Sequence, residues 1–302
     1  MASRNDAEIP AGLRQLMAEV GPRWSSDIPA HVRMMVEHFD PVLARAPKHG
    51  VSVTRDIAYG AHARQRLDVY STPGGSARPV VVFVHGGAFV NGDRNRSSEV
   101  YANVSYFFAR HGVTSVNIEY RLAPEHRYPS GIEDVALALA WVRTNIARFG
   151  GDASRVFLIG HSAGAAHAAG YAYDARFWPG EHPQVSGLIV LSGRVRADNS
   201  AQNPNARKVE TYYGTDADLY EDRSPVSHAG ARSVPTMIAF AEYENPLLDV
   251  YCLELAWRLA DGKRRAPPIL RLQGHNHTSL IAHINTPEDR LGLEMLEFIR
   301  HA

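Results

Sequence analysis

The segment Pro79-Val-Val-Val-Phe-Val-His85 narrows the choice of fold more than any other stretch of this 302-residue chain. A continuous β-branched and aromatic run offers no polar face to water, so as a strand it must be covered on both sides. Strands of that kind belong to sheets in which strand and helix alternate along the chain. The sequence supplies the alternation. The spacing of apolar residues predicts a helix over Ser98–His111, a strand over Val113–Ile118, a helix over Glu133–Phe149, a strand over Val156–Ile159, a helix from Ala163 and a strand over Gly187–Leu191. A polar stretch without clear period, about Gly193–Ala231, reads as a long lid-like excursion. A strand at Thr236–Ala241, a helix at Leu247–Leu259, a strand at Pro268–Gln273 and a helix at Pro287–Ile299 then complete an α/β chain with a mostly parallel sheet. Ahead of the run, Val51–Tyr59 and Arg66–Tyr70 alternate like exposed antiparallel strands, and the apolar spacing of Ile9–Ala46 predicts two short amphipathic helices.

Composition excludes several partners. Lys and Arg number 32, as do Asp and Glu, so there is no net field to hold nucleic acid or an anionic membrane. The one cysteine, Cys252, lies in an apolar helical run and reads as core filler; with no possible internal disulfide, it fits a reducing compartment. The opening residues MASRNDAEIPAGLRQ contain no apolar segment behind basic residues, and no window approaches the roughly 18 apolar residues of a spanning helix. A cytoplasmic location is expected.

Chemistry concentrates in three places. Val156-Phe-Leu-Ile-Gly160-His161-Ser162-Ala163-Gly164 is a strand entering Gly-x-Ser-x-Gly and then a small-residue helix. Glycines permit a sharp turn that leaves the Ser162 hydroxyl exposed at the strand end, with the Ala163 N–H beside it. His85-Gly86-Gly87-Ala88 ends the first buried strand, and a chain without side chains there brings backbone N–H groups close to a developing oxyanion. A serine needs a base held by a carboxylate. The last strand leads into Gln273-Gly-His275-Asn-His277, with two imidazoles, while Glu242, Glu244 and Asp249 compete as the acid; spacing alone does not choose among them. His275-x-His277 also has the look of a metal pair, yet no further Cys/His cluster of zinc spacing accompanies it, so neither metal nor cofactor is expected.

Three segments carry a resemblance: His85-Gly-Gly-Ala-Phe89, Tyr120-Arg-Leu-Ala-Pro-Glu-His126 with Tyr128-Pro129 and Glu133-Asp134, and Gly160-His-Ser-Ala-Gly164. Together they resemble the α/β-hydrolase superfamily in the esterase branch related to hormone-sensitive lipase, from about Val51 to the C-terminus. The loop Asn276-His277-Thr-Ser is similar to that of kynurenine formamidases. The resemblance implies a single α/β-hydrolase domain over residues 1–302, with a small helical cap in residues 1–50, and it places the acid on Glu244 and the base on His277. It implies an oxyanion hole from Gly86, Gly87, Ala88 and Ala163, and loops braced by Arg121 and Glu125. The chain departs from the esterase pattern twice: Ala88 stands where the third glycine would be, and Glu244 where an aspartate is usual. The implied activity is serine carboxylesterase action on a small-molecule ester through an acyl-enzyme, in a protein that could form a homodimer. An arylformamidase would use the same residues, and a ligand-binding protein on the same scaffold is the reading from another class. Trp24, Phe177, Trp178, Tyr212 and Tyr213 are the aromatic residues expected around an acyl or aryl pocket.

Overall fold

Both faces of the run at Pro79 are buried. In the computed structural model, which describes residues 9–302, Val80, Val82 and Val84 enter one hydrophobic core, while Val81 and Phe83 enter a second on the opposite side. The strand is one of eight in a single sheet among the described residues: β1 (Ser52–Ala58), β2 (Arg66–Ser71), β3 (Arg78–Val84), β4 (Thr114–Ile118), β5 (Gly151–His161), β6 (Gly187–Leu191), β7 (Thr236–Tyr243) and β8 (Ile269–Asn276). Their spatial order is β1-β2-β4-β3-β5-β6-β7-β8. β1 and β2 run antiparallel to their neighbours, and β4-β3-β5-β6-β7-β8 are parallel.

Helices cover both faces, as the two-sided burial of β3 demands. On one side α4 (Ser130–Asn145), α5 (Ala163–Tyr173) and α8 (Leu248–Lys263) pack through Val135, Leu139, Ala168, Cys252 and Leu255. On the other, α1 (Ala11–Val20), α2 (Ile28–Ala44), α3 (Ala102–Arg110) and α10 (Arg290–His301) contribute Met17, Phe39, Phe107 and Met295. Each such side chain contributes about 1.5–3 kcal/mol by leaving water. Eight of the eleven residues of α5 are Ala or Gly, and all eleven are buried. A Cβ at Gly164 would lie 2.2 Å from the Val84 carbonyl oxygen, so only glycine lets this helix close on β3.

Several boundaries differ from the sequence expectation. β2 is buried, not exposed: it lies between β1 and β4, and Tyr70 packs against Ala102 and Ala109 of α3. α3 begins at Ala102 because Tyr101 takes a left-handed conformation, φ 81°, that ends the preceding turn. β8 runs on to Asn276, which takes His275 and Asn276 into the strand instead of the loop after it. The polar stretch 193–231 is not without structure, for it contains α6 (Ala206–Tyr213) and α7 (Tyr220–Arg223), with one short 3₁₀ turn between them and another after α7. A further short helix, α9 (Ser279–Ala282), follows β8. The first eight residues of the expected N-terminal cap lie outside the described residues; α1 and α2 account for most of the remainder.

Candidate active site

The carboxyl ends of β3, β5, β7 and β8 converge on one cavity, the edge where open parallel sheets place ligands. Ser162 stands between β5 and α5 with φ 55° and ψ −118°, a conformation that costs a non-glycine residue roughly 1–3 kcal/mol. The surrounding backbone holds it there. Its N–H donates to Leu191 O at 2.9 Å, and its carbonyl accepts from Ala165 N–H at 3.1 Å and Arg194 N–H at 3.0 Å. At Gly160 a Cβ would come within 2.4 Å of Ala165 Cα, so the turn can be this tight only without a side chain.

Beside the serine, β3 ends in His85-Gly86-Gly87-Ala88. Gly87 has φ 148°, and a Cβ there would lie 1.7 Å from the Asn91 carbonyl oxygen. The Gly87 and Ala88 N–H groups have no partner among the described residues, and the Ala163 N–H is one of the free donors in the first turn of α5. Gly86 is the exception to the expected set of four: its N–H donates to the Tyr101 hydroxyl at 3.3 Å and is not free for an oxyanion. The His85 imidazole is structural. It is buried beneath the loop, 2.8 Å from Glu119, so the loop can act only through its backbone.

The acid and the histidine come from neighbouring strands. Glu244 follows β7 and His277 follows β8, with His277 Nδ1 2.8 Å from Glu244 Oε2. The same carboxylate accepts from Ala241 N–H at 2.8 Å, from Asn245 N–H at 3.3 Å and from the Ser192 hydroxyl. Asn276 shapes the turn that presents His277, accepting from Thr278 N–H at 3.1 Å and Ser279 N–H at 2.9 Å. Ser162, His277, Gly87 and Ala88 line one cavity of about 600 Å³.

The competing residues point elsewhere. Glu242 is engaged with Arg271 and Gly274 N–H, and Asp249 lies in the first turn of α8. His275 faces Glu288 at 3.1 Å and is engaged there instead of with Glu244. Glu125, expected to brace a loop, is exposed; Arg121 instead binds the buried Asp134 at 2.9 Å, and Glu119 is a further buried acid, bonded to His85. None of the five aromatic residues expected at a pocket lines this cavity. Trp24 is buried and donates to Asn245 Oδ1 at 2.8 Å, Tyr212 and Tyr213 pack behind Phe89, and Phe177 and Trp178 lie at other surface hollows. The walls come from Ile28, Pro29, Val32 and Val36 of α2, with Asn205 and Lys208 of the α6 region.

Sequence reasoning overlooked His161, though it is the variable residue of Gly-x-Ser-x-Gly. Its Nε2 lies 3.2 Å from the His277 carbonyl oxygen and its Nδ1 3.1 Å from the Tyr101 hydroxyl. A carbonyl can only accept, so Nε2 carries the proton and Nδ1 accepts from Tyr101. Burial, reinforced by His277, holds its pKa well below the usual histidine value, which keeps the ring neutral. The chain of bonds therefore runs from Gly86 N–H through Tyr101 and His161 to the backbone of His277, joining the oxyanion loop to the histidine loop.

A serine elbow after β5, an acid after β7 and a histidine after β8 follow the chain order of the α/β-hydrolase fold. A family model described as an alpha/beta hydrolase fold matches residues 81–260, and the chain belongs to that family. Among curated proteins it is 28% identical to the esterase LipC of Mycobacterium tuberculosis over 241 residues, covering 74% of this chain and 59% of that one. It is 35% identical to a gibberellin receptor of rice over 191 residues, covering 58% of this chain and 51% of the receptor. The chain thus spans less than two thirds of the length of these relatives. Among solved structures, an esterase of Pyrobaculum calidifontis superposes with TM-score 0.70 at 24% identity, covering 95% of this chain and 96% of that one. Esterase B of Lactobacillus rhamnosis, inhibited by a tributyrin phosphonate, gives 0.73 at 19% identity over 97% and 96%. Both likenesses are of fold. No helix among the described residues is long and apolar enough to cross a membrane.

Proposed function

We propose that this chain is a serine carboxylesterase that works through an acyl-enzyme without a cofactor. The observation that carries the reading is the 2.8 Å contact of His277 Nδ1 with Glu244, set in the same cavity as a serine held in a strained turn. Glu244 fixes the imidazole with Nδ1 protonated, so Nε2 is free to act as base. Ser162 Oγ attacks the ester carbonyl and its proton passes to His277 Nε2. The oxygen that gains the electron pair is held by the N–H groups of Gly87, Ala88 and Ala163. Collapse breaks the bond to the alcohol, which leaves with the proton from His277, and water repeats the sequence on the acyl-enzyme. The esterase relatives support the ester as substrate, whereas the rice receptor shows that likeness to this family does not by itself require turnover.

An arylformamidase would need the same residues, and its support here is the Asn276-His277-Thr-Ser loop. Asn276 and Ser279 hold that loop through local hydrogen bonds, a role equally useful to an esterase. The p-nitrophenyl esters of acetate and butyrate are expected to give kcat/KM at least about tenfold above N-formyl-kynurenine, a difference of about 1.4 kcal/mol in transition-state stabilisation. A phosphonate probe should label the protein once, at Ser162. Faster turnover of the formyl amide than of every ester would replace this reading by the formamidase.

The Tyr101–His161 chain gives a second expectation. Tyr101→Phe removes both hydrogen bonds that the hydroxyl makes in the link between the two loops, from Gly86 N–H and to His161 Nδ1, each worth about 1 kcal/mol. It should lower kcat about fivefold with KM little changed, because the tyrosine positions groups without forming the walls of the cavity above Ser162. Steady-state kinetics on p-nitrophenyl butyrate reads this, and an unaltered kcat would show the link to be structural only.

A further inference from the structure

The walls of the site cavity carry more positive charge than the ester chemistry needs. Lys208 of α6 lines the cavity, is only half exposed, and has no carboxylate within ion-pair distance among the described residues. Burial and the nearby Arg194 guanidinium lower its pKa, with no acid offsetting them. Arg194 itself is 1% exposed and adjoins the nucleophile turn, its N–H donating to Ser162 O at 3.0 Å. Its Nη1 donates to Asn203 Oδ1 at 3.1 Å, and its Nε has no partner among the described residues. The acids nearest in effect are already engaged: Asp198 with Tyr251 and Ser200, Glu244 with His277. A buried guanidinium without an ion pair is costly to fold around. Arg33 and Arg96 add two exposed cations to the cavity wall, against the exposed carboxylates Glu37 and Asp93 at the same mouth. Asp93 is partly satisfied by Asn95 N–H at 2.9 Å.

We propose that the esters this site prefers carry a second, anionic group, a carboxylate that Lys208 binds while Arg194 reinforces the positive potential from behind. The inference rests on the esterase reading above and names the substrate class of that site. A carboxylate supplies the negative charge that Lys208 lacks, whereas a purely apolar acyl chain would leave its ammonium, with the Arg194 guanidinium nearby, unpaired in a cavity emptied of water. The carboxylate could sit on the acyl side of the scissile bond, as in a monoester of a dicarboxylic acid, or on the alcohol side, as in the acyl ester of a hydroxy acid. Both present the same group to Lys208.

Two matched pairs of probes separate these sources. p-Nitrophenyl hydrogen adipate is compared with p-nitrophenyl hexanoate, and 4-acetoxybenzoate with 4-methylphenyl acetate, each rate being referred to the spontaneous hydrolysis of its ester. The anionic member of at least one pair is expected to give kcat/KM about tenfold or more above its neutral partner. The ratio should shrink on raising the salt from about 20 mM to about 500 mM, as screening weakens the attraction. Lys208→Gln should bring the ratio to about one, and Lys208→Arg, which keeps the charge, should retain most of it. A half-exposed position on a surface helix tolerates both changes, and the salt series on the unaltered protein tests the inference without any variant. If neutral esters are hydrolysed and neither pair favours the anion, or if the preference survives in Lys208→Gln, this inference is wrong and the esterase reading stands. If no ester of either kind is turned over, both fall.

Discussion

Ser162→Ala and His277→Ala are each expected to lower kcat for a p-nitrophenyl ester by about 10⁵- to 10⁶-fold, and the double variant to lower it no further. Nucleophile and base act as a unit, so once either is gone the other has no step to perform. What remains is the catalysis given by the oxyanion N–H groups and by binding. Glu244→Gln should cost about 10⁴-fold, because an amide keeps the shape of the carboxylate but no longer stabilises the imidazolium formed when His277 takes the serine proton. Glutamine also preserves most of the hydrogen bonds from Ala241, Asn245 and Ser192, so the protein should remain folded where alanine would leave those donors orphaned. Glu242→Ala and Asp249→Ala serve as controls and should stay within about threefold, since neither side chain meets His277. Single-turnover kinetics on purified variants, with circular dichroism to establish folding, reads all of these. Should Asp249→Ala prove the more damaging acid variant in a folded protein, the assignment of Glu244 is wrong.

Where the sequence was legible, and where it was not, follows from how far each signal reaches along the chain. The parallel sheet could be read because an uninterrupted apolar strand such as Val80–Val84 states its own burial on both faces. The serine turn was readable for a similar reason, since Gly160, Ser162 and Gly164 lie within five residues and the steric demand on each glycine is local. The choice among Glu242, Glu244 and Asp249 was not local. It depends on how far β7 extends beyond its partner β8, and the register between these strands shifts between Ala241 and Tyr243. Composition misled the reading of the pocket. Aromatic residues suggested an apolar wall, but Tyr212 and Tyr213 are used to pack Phe89 behind the oxyanion loop, and the wall facing Ser162 contains Lys208. Nothing in the spacing of Arg194 marks it as buried, because a guanidinium at a strand end normally reaches water. The link through Tyr101 and His161 joins positions sixty residues apart and only the folded chain brings them together.

Glu119→Gln should destabilise the fold by about 3–5 kcal/mol at neutral pH, the scale expected when one partner of a buried charge cluster is removed. Glu119 follows β4 and is 2% exposed. Its carboxylate lies 2.8 Å from His85 Nε2, accepts from Arg94 N–H at 3.0 Å, and pairs with Arg64. Arg64 in turn donates to Tyr120 O and Gly92 O, both at 2.8 Å, so one acid secures the ends of β3 and β4 and the loop that borders the cavity. Burial alone would raise the pKa of this carboxyl, but the hydrogen bond and charge of His85, with Arg64 and the Arg94 N–H, outweigh it and hold the value below the ordinary glutamate range. A folded-state pKa below the unfolded value means that the stabilisation is complete above the unfolded pKa, near 4.3, and is lost as the pH falls through the lower, folded value. Urea unfolding of the two proteins should therefore differ most at pH 7 and converge in acid only as the pH falls through the lower, folded value, where the carboxyl of the unaltered protein also becomes neutral. Because the same acid positions His85, and through it Gly86 and Gly87, the variant should also lose ester turnover at temperatures where it is still folded. A difference of less than about 1 kcal/mol at pH 7 would mean that Arg64 and Arg94 find other partners and that the oxyanion loop is held by its glycine turn alone.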